Sequence, residues 1–241
     1  MITVLETASF SYPSINKQVN EDSYLLPTTY DDQRLVIAIA DGVSNSQNGN
    51  LASDKSIQAI SKLLRTENFS ITNAFELALS NIRNLKENSV TTLTVVEVTS
   101  TTLTVGHIGD CRAYYKYNNK LIQITKDHTK YQEMLESNEF KIRNLKNHKE
   151  RLSSVLTKAM TKDHNFEPSI YQLDMEQIKQ DTASEIDIYL MSDGAYKIWD
   201  KRPFFSQSTM SSPSSFALSL KRRIQKNILD DYSLIGVKIK L

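Results

Sequence analysis

The stretch IYLMSDGAYKIWD, Ile188 to Asp200, opens as a buried strand pattern and stops on an aspartate followed by a glycine. The same grammar occurs upstream, where LVIAIA, Leu35 to Ala40, runs straight into Asp41-Gly42. A third strand-like run, TLTVGHIGD, ends on Asp110. One Asp-Gly after a strand is a turn signal, because glycine supplies the positive φ that such turns use. Three strand ends that each carry an aspartate point to something beyond turn chemistry.

Working outward, two helical patterns follow the first Asp-Gly. Leu51, Ala52, Ile57, Ile60, Leu63 and Leu64 share one helix face, and Ile71, Ala74, Phe75, Ala78, Leu79, Ile82 and Leu85 share another. Both need a flat apolar partner. The runs Thr92 to Val98, Thr101 to Ile108, Arg112 to Tyr117 and Lys120 to Thr125 supply one, being rich in β-branched and aromatic residues. Short joins, including Asn118-Asn119, let them form an antiparallel meander. Helices followed by consecutive strands favour an α+β layered sandwich over a parallel βαβ sheet. Tyr131 to Arg151 has weak helical spacing through Met134, Leu135, Ile142 and Leu145 and reads as a mobile helical excursion. Phe205 to Ser215 reads as a polar loop ending at a helix capped by Ser214 or Ser215, and Lys221-Arg222-Arg223 as the solvated face of that helix.

The chain has 241 residues, enough for one domain with a large core. Lys+Arg of 29 against Asp+Glu of 28 leaves a net charge of +1, so no overall basic field draws nucleic acid or anionic lipid. The single cysteine, Cys111, excludes an internal disulfide framework and fits a reducing compartment. No run approaches the ~18 apolar residues of a membrane span, and the N-terminus has no secretory pattern. A cytoplasmic protein is expected.

The acids that stand out are Glu21-Asp22 in VNEDSYLL, Asp41, Asp110, Asp193 and Asp230-Asp231, each at the boundary of a strand-like run. Carboxylates gathered at one edge of a sandwich repel unless cations lie between them. All-oxygen donors suit Mg²⁺ or Mn²⁺, and the four histidines lack close zinc-ligand spacing.

In order, the chain carries NEDS at Asn20, a strand then DG at Asp41, GDCRAYY at Gly109, ITKDHT at Ile124, LTKAM at Leu156, MSDGAYKIWD at Met191 and DDYSLI at Asp230. This series resembles the metal-dependent Ser/Thr protein phosphatases of the type 2C class, in their compact bacterial form, from Lys17 to the C-terminus. The resemblance implies one catalytic domain over residues 1–241, a four-layer αββα sandwich of two antiparallel sheets flanked by helices. It implies that Asp41 bridges two Mn²⁺ or Mg²⁺ ions, that Asp193 and Asp230 complete one site, and that Glu21 and the carbonyl of Gly42 help hold the other. Asp22 would be a further ligand or a neighbouring acid, and Asp110 would help bind a weaker third ion. Lys17 stands where the family usually has a phosphate-binding Arg, and lacks the bidentate fork. Val43-Ser44-Asn45-Ser46 replaces the family's glycine pair and histidine, so leaving-group protonation falls to water. Cys111 and Asp231 replace a usual Ser and Asn, and His128 implies a structural hydrogen bond.

The implied activity is hydrolysis of phosphoserine and phosphothreonine in phosphoproteins by a metal-activated water, with a separate Ser/Thr kinase as the opposing signalling enzyme. A catalytically silent phosphoprotein-binding relative is the competing reading, to which Lys17 and the altered loop after Asp41 belong. A two-metal nuclease is the third, and the balanced charge speaks against it.

Overall fold

The run Leu35 to Ala40 has no exposed residue, and strand alternation decides where each one goes. Leu35, Ile37 and Ile39 enter one apolar cluster, while Val36, Ala38 and Ala40 enter another. A strand covered on both faces needs a layer on each side. The computed structural model, which describes residues 1–31, 33–66, 69–137, 145–178 and 185–241, provides them.

Strands β1 (Thr3–Tyr12), β2 (Asp22–Tyr30) and β3 (Arg34–Asp41) are followed by helices α1 (Gly49–Arg65) and α2 (Ile71–Arg83). Then come β4 (Leu93–Val98), β5 (Thr102–Ile108), β6 (Arg112–Tyr117) and β7 (Lys120–Gln123). Short helices α3 (Lys130–Glu136) and α4 (Lys149–Ser153) precede β8 (Ser169–Asp174) and α5 (Met175–Ile178). The chain closes with β9 (Glu185–Met191), α6 (Asp193–Lys201), α7 (Gln207–Met210), α8 (Pro213–Ile224) and β10 (Tyr232–Lys240). One sheet runs β1-β10-β9-β6-β7 and the other β2-β3-β4-β5-β8. Every pairing between these strands is antiparallel.

Three apolar clusters correspond to the three interfaces of a four-layer αββα sandwich. Between the sheets lie Leu35, Ile37 and Ile39 of β3, Ile186, Ile188 and Leu190 of β9, and Ile235, Val237 and Ile239 of β10. Ile60, Ala74, Phe75, Ala78 and Ile82 pack α1 and α2 on one outer face. Trp199, Phe216, Leu220 and Ile224 pack α6 and α8 on the other. Each fully buried side chain of this size stabilises the fold by ~1.5–3 kcal/mol. Leu51 departs from its expected face and is 40% exposed.

The expected single meander is instead two hairpins in different sheets. β4 pairs with β5 and β6 with β7, while β5 and β6 are separated by the corner Gly109-Asp110-Cys111, where the chain crosses between sheets. Alternation within each strand is the same for either arrangement, so apolar pattern alone does not separate them. Asn118 of the second hairpin takes the left-handed φ of 53° that its turn uses.

The cap expected at Ser214 or Ser215 is Ser212, whose Oγ accepts from the Ser215 amide at 3.2 Å. Pro213 then fills the first helical position, where a missing N–H costs nothing. Part of the polar loop before it coils into α7, capped by Ser206. The helical excursion expected over Tyr131 to Arg151 is represented by α3 and α4, and Ile142 lies outside the described residues. Edge strands β1 and β8 alternate exposed and half-buried residues and carry no strong apolar signal. Among the described residues no helix is long and apolar enough to cross a membrane.

Candidate metal centre

Asp22 at the start of β2 and Asp41 at the end of β3 are directly opposed in the strand register. Ile39 of β3 and Tyr24 of β2 both pack into the inter-sheet cluster. With a side-chain period of two, Asp41 and Asp22 fall on that same inner face, at its rim. The backbone of Asp41 is fixed by Thr92: Asp41 N donates to Thr92 Oγ1 at 3.0 Å, and Thr92 N donates to Asp41 O at 2.8 Å. The strand therefore delivers its carboxylate from a rigid mount.

The glycine after Asp41 is needed for close approach. A Cβ on Gly42 would lie 2.3 Å from the Gly49 carbonyl carbon at the start of α1. The second Asp-Gly works the same way. Asp193 opens α6, and a Cβ on Gly194 would lie 2.1 Å from the Asp231 carbonyl oxygen, so glycine lets the chain entering β10 press against the helix start. Neither glycine takes a positive φ, which corrects the turn reading of these pairs. That contact brings Asp230 and Asp231 to the end of β9.

Hydroxyls from the second sheet tie the halves together. Ser192 Oγ and Ser233 Oγ donate to Asp22 Oδ2 at 2.8 and 2.6 Å. Asp22 Oδ1 is buried and finds no hydrogen-bond partner among the described residues. Asp231, buried beside it, accepts from the backbone amides of Ser14 and Glu21 at 2.7 and 2.8 Å. It organises the loop that carries Lys17 and Glu21.

Two ammoniums lie on the remaining acids. Lys17 Nζ contacts Glu21 at 2.7 Å, Asp230 at 3.0 Å, Asp231 at 3.1 Å and Ser44 Oγ at 2.7 Å. Lys197 Nζ contacts Asp193 Oδ2 at 2.5 Å. Asp41 carries no ion pair among the described residues, and Asp22, Asp193, Asp110 and Asp230 all act on it electrostatically. The structure thus gathers the acids singled out from the sequence, while Lys17 is already shared among three carboxylates.

The electrostatics follow from this crowding. Burial, then the charges of Asp22 and Asp193, pushes the Asp41 carboxyl well above its ordinary range. Burial pushes Asp22 up to about 7, against its serine hydrogen bonds, and Asp110 up to about 8, with Asp193 adding to it. Asp193 is raised by burial too, and Lys197 opposes the rise. Burial works against the Lys17 ammonium, but hydrogen bonds to Glu21 and Asp230 outweigh it and raise its pKa.

Asp110 is mounted on a separate scaffold. Tyr196 OH donates to its Oδ2 at 3.3 Å, and the Tyr196 ring stacks under Arg112 at 3.6 Å. Arg112 in turn makes a two-point bond to Asp127 at 2.8 and 2.7 Å and a bond to Asp200 at 2.8 Å. His128 Nδ1 accepts from the Gly109 amide at 3.0 Å, the structural role its motif implies.

Among the described residues no group of three or more His, Cys, Asp or Glu side chains is closed into a ready ligand set. Lysine and serine groups lie on several of the carboxylates instead. The donors nevertheless fit a hard divalent cation: they are all oxygen, several are held in the charge-disfavouring interior, and one buried oxygen is unpartnered. Beside them opens a cavity of about 440 Å³ lined by Arg112, Lys149, Tyr196, Lys197, Asp200 and Asp230 among others. Sequence reasoning did not single out Lys197, Ser192, Ser233 or Tyr196. For Lys197 and Tyr196 a signal existed, because they lie four and three residues beyond Asp193 at the start of a helix.

Two antiparallel five-stranded sheets with flanking helices are also the fold of solved serine/threonine phosphatases. The family model described as Protein phosphatase 2C matches residues 14–227, and the chain belongs to that family. A search of curated proteins finds no match. Among solved structures, the fold is similar to the serine/threonine phosphatase PstP/Ppp of Mycobacterium tuberculosis, at 24% identity and TM-score 0.74, covering 99% of both chains. It is similar to Stp1 of Staphylococcus aureus at 17% identity and TM-score 0.77, over 98% of this chain and 95% of that one. The catalytic domain of PstP in complex with two manganese ions matches at 21% identity and TM-score 0.73, over 100% of both chains.

Proposed function

We propose that the chain is a phosphoprotein phosphatase, one catalytic domain over residues 1–241, that hydrolyses phosphoserine and phosphothreonine at a centre of two Mn²⁺ or Mg²⁺ ions. The observation that carries this reading is the convergence of Asp22 and Asp41 from one sheet with Asp193 and Asp230 from the other, around an Asp41 that has no ion pair among the described residues. Asp41, Asp193 and Asp230, with Glu21, Asp22 and the carbonyl of Gly42, would hold the ions, and Asp110 would serve a third. Such ions supply an activated water and neutralise charge on the phosphoryl group.

The chain's own groups do the rest. Thr92 and the strand hydrogen bonds keep Asp41 in place, and Ser192 and Ser233 orient Asp22. Lys17 offers a point charge to the phosphate at the mouth of the site. The adjoining cavity has room for the phosphorylated side chain and its flanks. The partners are a phosphoprotein substrate and a separate Ser/Thr kinase, and a cytoplasmic location fits both.

The test is hydrolysis of p-nitrophenyl phosphate and of a phosphothreonine peptide with Mn²⁺, Mg²⁺ or EDTA. Metal-dependent release of phosphate from both is expected. A folded, metal-binding protein that turns over neither would overturn the enzyme in favour of a phosphoprotein-binding role.

A further inference from the structure

Away from the metal centre, the outer face of β8 is open to solvent. Strand alternation sends Tyr171 and Leu173 into the inter-sheet cluster and turns Ile170, Gln172 and Asp174 outward, where all three are exposed. Helix α2 lies beside them over β5, with Phe75 and Ile108 in one apolar cluster. Between helix and strand opens a cavity of about 340 Å³, a size that ligand sites share. Phe75 and Leu79, one turn apart on α2, Ile108 of β5, Met160, Phe166 and Ile170 give it apolar walls. Ile170 is 53% exposed and so has apolar area left to bury. Glu76 and Glu167 also line this cavity, both exposed and neither ion-paired among the described residues. Four residues further along β8, roughly 13 Å at the rise of a strand, Asp174 and Glu176 line the other end of the face with Thr102 and Gln172. Among the described residues lining the two ends there is no lysine or arginine, and His164 is the one imidazole.

We propose that this face is a docking site for an extended segment of a partner protein that carries one large apolar side chain and nearby Lys or Arg residues. The apolar side chain fills the cavity between α2 and β8 and covers Ile170. Its basic neighbours meet Glu76 and Glu167 at the cavity, and Asp174 and Glu176 one short strand length away. The charge pattern selects the occupant: four carboxylates without a lining lysine or arginine attract a basic segment and repel an acidic peptide or a phosphate backbone. An extended segment fits better than a compact ligand, because the apolar cavity and the second acidic pair are spread along β8. None of these residues is among the acids of the metal centre, so segment and ions do not compete, and the proposal does not depend on the phosphatase reading.

The experiment is selection of phage-displayed random peptides of about twelve residues, long enough to span the face when extended, on the full chain in EDTA. Enriched sequences are remade as fluorescein-labelled peptides and titrated by anisotropy against the wild type, Ile170→Thr and the double variant Glu76→Gln/Glu167→Gln. The threonine keeps the β-branching of an exposed strand position, and both glutamates are exposed, so all three proteins should fold. The enriched peptides should pair a large apolar residue with Lys or Arg. Ile170→Thr should weaken them by about fivefold or more through lost apolar contact. The double variant should weaken them by about fivefold at low salt and flatten the salt dependence. Affinity should be the same in Mn²⁺ and in EDTA. No enrichment, enriched peptides that lack the basic or the apolar residue, equal affinity for the wild type and both folded variants, or binding that requires Mn²⁺ would each overturn the proposal.

Discussion

Asp41-Gly42 and Asp193-Gly194 end comparable strands in opposite sheets, yet their carboxylates meet different surroundings. In both, an apolar strand serves as mount and a glycine lets backbone press against backbone. Asp41 has no ion pair among the described residues and feels the charges of Asp22, Asp193, Asp110 and Asp230, whereas Asp193 begins a helix that supplies its own lysine one turn later. The same local grammar therefore fixes position but not charge balance. Charge balance comes from what the next element carries: after Asp41 a polar loop, Val43 to Asn48, and after Asp193 a helix with Lys197.

The harshest way to break the comparison is to remove each acid. Asp41→Ala and Asp193→Ala should each lower kcat/KM for p-nitrophenyl phosphate in Mn²⁺ by about 10³-fold or more, ~4 kcal/mol of transition-state stabilisation. Far-UV circular dichroism should be unchanged, since both side chains sit at the rim. Normal turnover by Asp193→Ala would remove the second corner from the site and leave the first standing alone.

The glycines test the shared half of the comparison. Gly194→Ala places a methyl 2.1 Å from the Asp231 carbonyl oxygen, and Gly42→Ala places one 2.3 Å from the Gly49 carbonyl carbon. Backbone cannot rotate away as a side chain can, so each should cost about 3 kcal/mol. Melting temperature should fall by roughly 5–10 °C in each. A variant that melts with the wild type would show that its corner does not need the close approach.

Charge tests the half that differs. In EDTA at neutral pH, Asp41→Asn removes a carboxylate that has no ion pair among the described residues and should stabilise the metal-free protein to urea by about 1–2 kcal/mol. Asp193→Asn removes a carboxylate too but leaves Lys197 unpaired. It should gain less, by about 1 kcal/mol. Equal effects would mean that Lys197 does not distinguish the corners.

How much of this was legible in the sequence depends on range. The apolar runs, the two long helices and the acids at strand ends are local patterns, and apart from Leu51 the structure places them as the periodicity requires. The split of the expected meander was not legible, because strand alternation in β5 and β6 is the same whichever sheet each joins. Strand β1 was missed for a related reason: as an edge strand, its residues from Thr3 to Ser9 are mostly exposed or half-buried polar groups. At the site, Asp231 was visible as the neighbour of Asp230, yet its bonds to Ser14, Lys17 and Glu21 span more than 200 positions. Such separations leave no periodic trace.

A third strand end sharpens the comparison further, because Asp110 stands on neutral imidazoles. His107 and His128 stack with ring centroids 4.7 Å apart beneath the Gly109-Asp110 corner. His107 Nε2 faces the Lys126 carbonyl at 3.1 Å and so carries the proton, which leaves Nδ1 to accept from Thr94 Oγ1 at 2.9 Å. A second proton would place a charge on a fully buried ring and would turn the Thr94 hydroxyl onto the Cys111 carbonyl, 3.3 Å away. Burial, and then the neighbouring His128, accordingly pushes His107 down to about 3. A histidine depressed in the folded state contributes stability that is complete above its unfolded value near 6.5 and is lost as pH falls toward about 3. The loss approaches ~1.4 kcal/mol per pH unit well inside that window and is smaller near its upper edge. The crowded carboxylates respond with the opposite sign, since their raised values favour the protonated folded state, so the total slope mixes both. His107→Gln isolates the imidazole: the amide can donate to the Lys126 carbonyl and accept from Thr94, and it does not titrate. Urea unfolding at pH 6.5 and 5.5 should show the wild type losing up to about 1 kcal/mol more than the variant. Parallel pH dependences would mean that the imidazole stack is not what holds the third corner.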